Sequence, residues 1–306
     1  SCGGLGVFTK CALKLFKWPG PPKPEIEGTL LDVRTEEMSN FGTYMCLFPD
    51  REKYTEAVYK VGEAEIGYIH HKTSNPLLLA FLAPRLTRRL SDKPFLREAM
   101  LALRHQFTLI LAADTAREFE YQKRVLAAVV SDQQGVLLDL SVLPSLQQML
   151  FWGMIRSSLT PLVFRPTGNY FAGFGTDGSL ASQSLADELG EPMGKKAGEE
   201  GTVLDEFGDD VWAPSYENIN RAHCEHIMLF DHRNRENTEA VADYGRGYAR
   251  LGFEHFLGPG LAAIAPAVRK VYSSMAFNYN EYQKKIVAAL DEGNVSDTSC
   301  YTDEAD

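Results

Sequence analysis

The sequence predicts an α+β fold of two possibly duplicated units, each with a mixed or antiparallel sheet and flanking helices. Three observations lead there. Strand-like and helix-like patterns alternate: "GTYMCLFP" at 42–49 and "AEIGYIHH" at 64–71 read as strands around a helix through "REKYTEAVYKV". Two pairs of segments match in the same order, as a repeated unit would give: "MCLFPDREKYTEAV" (45–58) with "IMLFDHRNRENTEAV" (227–241), and "EYQKRVLAAV" (120–129) with "EYQKKIVAAL" (281–290). The chain of 306 residues is 44% hydrophobic and 24% charged, without an apolar run of transmembrane length, which suits one large packed body or two smaller ones.

The opening "SCGGLGVFTKCALKLFKWPGPPKPE" carries four lysines and no acid before Glu25. Wound as a helix, Phe8, Cys11, Leu15 and Trp18 recur every three or four residues and leave Lys10, Lys14 and Lys17 largely on another face. Such a helix either docks on the protein's own core or lies at an anionic membrane interface, with Phe8, Leu15 and Trp18 in the apolar layer and the three lysines toward headgroups. "WPGPPKPE" then makes a rigid, extended exit, because closely spaced prolines break helical hydrogen bonding.

Within the body, "NPLLLAFLAPRL" and "KPFLREAMLALR" read as helices, and Phe107 to Ala112 as a buried strand. Asp114 or Thr115 caps the next helix, Glu118 answers Thr115 in a capping box, and Phe119, Gln122, Leu126 and Val129 share a helical side. Gly135 opens another strand, and "LPSLQQMLFWGMI" is an apolar helix whose Leu146, Met149, Leu150 and Trp152 are expected to pack in the core. "RSSLTP" at 156–161 interrupts two apolar stretches. The expected organisation is a basic segment and linker at 1–24, a first unit at 25–158, a second at 159–290 and an acidic, solvated tail at 291–306.

"NYFAGFGTDGSL" places Gly173, Gly175 and Gly178 at the spacing of a dinucleotide-binding fingerprint. That motif needs a parallel strand before it, whereas "PLVFRPTGNYFAGF" reads as a hairpin, and Asp177 puts negative charge where a pyrophosphate would sit. The glycines are expected to relieve backbone crowding, with Asp177 or Ser179 capping the following helix. No cofactor is expected.

"RAHCEHIMLFDHRNRENTEAV" concentrates the residues of most chemical interest. Cys224 and His226 fall on one side of a strand and pair as nucleophile and base. His223, Cys224, His226 and His232 are metal-ligating types, but His223 faces away from Cys224 on a straight strand, so a site requires a bend or help from His70 or His71. The plain alternative is a polar strand start beside an apolar core strand. His70 and His71, adjacent on a strand, are expected to point one inward and one outward, and Glu254 with His255 precedes a turn.

Thirty-one basic residues against forty-one acidic ones give a net charge of -10, which disfavours nucleic acid as a partner. The basic stretch from Arg85 to Arg104 reads as a solvated helix flank. Five scattered cysteines without a CxxC pair favour a reducing compartment, the cytoplasm or the cytoplasmic face of a membrane. The sequence thus predicts a macromolecule-binding or regulatory protein with a protein partner, peripherally attached to an anionic membrane surface through Phe8, Lys10, Lys14, Leu15, Lys17 and Trp18. The alternative is a hydrolase using Cys224 and His226, with or without metal.

Overall fold

A computed structural model of the chain describes residues 9–13, 15, 17–29, 32–35, 38–72, 104–156, 170–203, 215–216, 222–257, 274, 277–293 and 295. A small antiparallel hairpin, β1 (Ile26–Thr29) and β2 (Asp32–Thr35), leads into the main sheet. There β3 (Phe41–Leu47), α1 (Arg51–Glu63), β4 (Ile69–His71), β5 (Gln106–Ala112), α2 (Ala116–Asp132) and β6 (Val136–Asp139) follow one another, and the strands lie in the order β6-β3-β5-β4, all antiparallel. This is the split βαβ arrangement of ferredoxin-like folds.

A 3₁₀ turn at Leu140–Val142 and α3 (Pro144–Ile155) come next. The chain continues through β7 (Tyr170–Gly178), α4 (Leu180–Glu199), β8 (Ser215–Tyr216), β9 (Ala222–Leu229), α5 (Arg235–Glu254) and α6 (Tyr279–Leu290). β7 pairs with β9, and β8 extends the main sheet beyond β4 by pairing Tyr216 with Ile69. The result is a mixed α/β fold.

Caps and periodicity account for the helices. Asp50 accepts a hydrogen bond from the Lys53 amide at 2.8 Å, and α1 then buries Tyr54, Ala57, Val58 and Val61. Thr115 accepts from the Glu118 amide at 3.2 Å, and Gln122, Leu126 and Val130 turn inward along α2. Thr115→Ala should lower the unfolding free energy by about 1 kcal/mol. A urea midpoint unchanged from wild type would show that this cap contributes nothing.

Both faces of the sheet are covered. Tyr44, Cys46, Phe107 and Leu109 project toward α1 and α2 in a core that runs on to Met228 of β9, Ala186 of α4 and Tyr248 of α5. Tyr248 is completely buried, and its hydroxyl donates to the Gly190 carbonyl at 3.3 Å, tying α5 to α4. On the second face Met45 meets Leu140, Met149 and Leu150, which seats α3. His70 and His71 do alternate between faces, but both are buried, against the expectation that one would meet solvent. Their strand is also short: Glu65 and Gly67 take positive φ and turn the chain before Ile69.

The matched segments do not occupy equivalent places. Residues 45–58 run from β3 into α1 and 227–241 from β9 into α5, so both pass from strand to helix. However, β3 opens its unit, whereas β9 follows a strand, a helix and a further strand, as β5 does. Residues 120–129 lie within α2, and 281–290 in α6 beyond α5. Glu254 is the last residue of α5 and His255 its C-cap. The helices expected at 75–86 and 93–104 lie outside the described residues except for Arg104, which is not helical.

The N-terminal expectation is also corrected. Residues 9–13 and 17–19 are not helical, and Trp18 packs on the body. Its ring centroid lies 5.1 Å from that of Phe41, its Nε1 donates to the Pro21 carbonyl at 2.8 Å, and neighbouring Lys17 bonds Asp114 at 2.5 Å. Aromatic burial and a charge-assisted bond thus claim the groups assigned to an interface. Lys10 and Leu15 are exposed, and Phe8 and Lys14 lie outside the described residues. Among the described residues, no helix is long and apolar enough to cross a membrane.

Candidate functional site

Pro144, Gln147, Gln148, Phe151 and Trp152 recur along α3 at the spacing of one helical stripe, and all five line a cavity of about 350 Å³. Thr35 from β2, Met38, Phe41 and Gly42 from the start of β3, and Ser141 from the 3₁₀ turn complete the wall. Neighbouring positions Met149 and Leu150 hold the helix to the sheet, so the stripe is fixed by burial of the opposite side. Pro144 at the first turn suits this entry, since its missing N–H would have no intrahelical partner.

Aromatic contacts build the cavity's floor. Phe151 meets Trp152 edge-on at 5.0 Å and Phe41 edge-on at 5.6 Å, and Trp18 approaches Trp152 at 6.4 Å and Tyr68 at 6.3 Å. Such tilted and edge-on pairs are the arrangements that ring quadrupoles favour. None of the ten lining residues is ionisable. Trp152 Nε1 and Gln148 Oε1 are shielded from water and have no hydrogen-bond partner, a state that costs about 1–3 kcal/mol per group. The cavity is therefore uncharged and walled about equally by polar and apolar surface, with those two atoms buried behind its lining.

A second polar cluster lies on the first face of the sheet, where α4 packs. Lys72 Nζ and Asp187 Oδ2 pair at 2.7 Å with side chains 1% and 3% exposed, and Lys72 also lies 5.4 Å from the centre of the Tyr54 ring. One turn along α4, Glu191 receives Arg51 at 2.7 Å and Arg104 at 2.5 Å. Burial outweighs the nearby cations and raises the Asp187 carboxyl above its ordinary range. Burial likewise lowers His105 to about 3, helped by Lys72, Arg104 and Arg51 and opposed by Asp50. His70, pressed against Phe107 at 4.6 Å, falls to about 3 through burial and the nearby His71, which itself falls to about 4. These charges answer one another across the seam between α4 and the sheet, so the cluster acts as a structural clamp.

The sequence-derived residues fall elsewhere. His223, Cys224, Glu225 and His226 lie on β9, where Asp177, Thr176 and Gly175 of β7 face His223, Cys224 and Glu225 in the register; their side chains lie outside the described residues. His232 sits beyond the strand's end, in the turn before α5, where its carbonyl accepts from Thr238. Among the described residues, no group of three His, Cys, Asp or Glu side chains is arranged to hold a metal. Gly173, Gly175 and Gly178 all lie within β7, which is antiparallel to β9 and shifts register between Ala172 and Gly175. Ser179, and not Asp177, caps α4 through the Ser182 amide at 3.3 Å. The glycines serve a bulged strand.

Trp152 packs in the core as expected, 3% exposed against Phe151 and Trp18, and sequence reasoning missed the cavity because it passed over the two amides. The available signal was Gln147-Gln148 in an otherwise apolar helix, one turn before Phe151-Trp152.

No family model and no curated protein matches this chain. Solved structures do. p-Cresol methylhydroxylase, in a crystal structure with substrate bound, superposes with a TM-score of 0.58 at 11% identity, over 86% of this chain and 54% of that one. 4-Ethylphenol oxidase from Gulosibacter chungangensis, in complex with isoeugenol, superposes with a TM-score of 0.55 at 13% identity, over 83% and 52%. The chain spans about half the length of these structures and over that half resembles the p-cresol methylhydroxylase type of fold. The solved structures that it resembles are a methylhydroxylase and an oxidase, against the expectation of a non-enzymatic binding or regulatory protein on a membrane and against that of a Cys224/His226 hydrolase.

Proposed function

We propose that this chain forms the substrate side of a flavin-dependent oxidoreductase acting on a small, uncharged aromatic compound. The cavity on α3 carries the reading: ring walls from Phe41, Phe151 and Trp152, two amides, one serine and no charge suit a flat, neutral molecule. The fold supports the reaction class, since its solved relatives are a p-cresol methylhydroxylase with substrate bound and a 4-ethylphenol oxidase holding isoeugenol. A flavin would supply the two-electron acceptor.

The described residues do not fit the phosphate end of such a cofactor. The β7 glycines are used in an antiparallel bulge, Ser179 takes the Ser182 amide at the N-terminus of α4, and no cation lines the cavity. The cavity is therefore assigned to the substrate and not to the cofactor's phosphates. Its protein groups would orient a ring and shield it from water.

Anaerobic addition of 4-methylphenol to the full-length protein loaded with FAD should bleach the oxidised flavin absorbance. Absence of bound flavin after loading, or no bleaching by any of a panel of neutral aryl compounds, would overturn the reading.

The element order supports a doubled βαββα unit in a register unlike that of the matched sequences. β3-α1-β4-β5-α2 and β7-α4-β8-β9-α5 follow the same order, with antiparallel β3/β5 and β7/β9 pairs. The β4/β8 pairing would join the two units edge to edge.

A further inference from the structure

We propose that β6 is a dimerisation edge, along which a second copy of this chain pairs antiparallel and continues the main sheet. Among the described residues β6 pairs with β3 alone and stands at the end of the sheet order, so its outer side has no strand beside it. Leu137 packs into the core on the first face, whereas Val136 and Leu138, opposite Leu47 and Met45, point to the second. There α3 covers Met45 and Leu140 but leaves the outer strand open. Val142 and Leu143 follow, between the cavity-lining residues Ser141 and Pro144. Val136, Leu138, Val142 and Leu143 are between 40% and 77% exposed, which leaves roughly 400 Å² of apolar surface beside an open strand.

Edge strands are ordinarily guarded by lysine, proline, a bulge or a covering element. None of these stands on β6, and its single charged residue, Asp139, is turned back onto the Ser141 amide at 2.9 Å. The edge is also complementary to itself. A twofold axis through Leu137 sets Val136 against Leu138 of the second copy on one face, and Asp139 against Gly135, which has no side chain to crowd it. No like charges meet along the paired strands in this register, although each copy carries a net charge of -10. Joining the two patches and the strand backbones buries roughly 1,000 Å² in total, the size at which specific interfaces begin, so the dimer is a weak one.

The test is sedimentation velocity of the full-length protein, with no flavin or substrate added. Wild type should pass from monomer to dimer between about 1 and about 100 µM. Val136→Lys and Leu138→Glu, both at exposed positions, should each weaken association by at least about tenfold. Mixed in equal amounts, the two variants should associate again, because the introduced lysine of one chain then faces the introduced glutamate of the other. If either variant does not fold, the double variant Val136→Thr/Leu138→Thr keeps strand-forming residues and should lose association to the same extent. Wild type that stays monomeric at about 100 µM overturns the proposal and leaves the edge to a different chain. A dimer that no folded variant weakens overturns it too, since it must use another face, and a mixture that does not re-associate excludes this pairing. Neither flavin nor turnover is read, so these outcomes stand apart from the oxidoreductase reading.

Discussion

Lys72→Met is expected to lower the unfolding free energy by about 3–5 kcal/mol, the cost typical of leaving one partner of a buried ion pair uncompensated. The Asp187 carboxylate is almost completely buried, one of its oxygens already has no hydrogen-bond partner, and Lys72 holds the other at 2.7 Å. Taking away the ammonium leaves a carboxyl that must be buried charged or take up a proton. The double variant Lys72→Met/Asp187→Leu should recover most of the loss, because a matched apolar pair removes both desolvation penalties. Urea midpoints of the two single variants and the double would decide. Additive losses would show that the pair is not coupled. The effect reaches beyond one contact, because Asp187 and Glu191 stand one turn apart on α4, and Arg51 at the start of α1 and Arg104 just before β5 both bind Glu191. The clamp therefore fixes α4 against the sheet that carries the cavity on its other face.

The clamp and the cavity were unequally visible in the sequence, for a physical reason. Local signals are written in neighbouring residues, so the Thr115 cap, the apolar run of β5 and the side of α2 bearing Gln122 and Leu126 were readable. The β7 glycines are antiparallel to β9, a partner the sequence did not indicate, and the expected hairpin arm lies outside the described residues. Pairing across 115 residues between Lys72 and Asp187 leaves no local trace, since neither residue is unusual in its own segment. The cavity draws on β2, β3, a 3₁₀ turn and α3, and only the α3 stripe is periodic in the sequence. Local density of titratable residues drew the functional reading to "HCEH", whose side chains lie outside the described residues, while the uncharged wall of Phe41, Gln148 and Trp152 resembled core. The basic, aromatic N-terminus misled similarly, because periodicity alone does not say whether Trp18 has Phe41 and Trp152 to pack against.

Acid should unfold this protein through its buried histidines. His70 and His71 are held near 3 and 4 by burial, and His105 near 3, against about 6.5 in an unfolded chain. Between those limits the unfolded chain binds protons that the folded form refuses. The stability these residues contribute is therefore present above about pH 6.5 and is lost as pH falls toward 4 and 3. Each histidine contributes a slope approaching about 1.4 kcal/mol per pH unit, so the three together withdraw roughly 6 kcal/mol by about pH 5. Asp187 works in the opposite sense: its raised carboxyl binds a proton more readily when folded, but it is one group against three. Domains of ordinary stability hold about 5–15 kcal/mol, so cooperative unfolding is expected between about pH 5 and 4. Urea titrations at half-unit steps from pH 7 to pH 4.5 would measure the slope. His70→Gln should remove about one proton from it, because His70 lies against Phe107 and glutamine does not titrate. A wild-type slope near zero across that range would mean that these imidazoles accept protons in the folded state and that the sheet opens to water at His70 and His71.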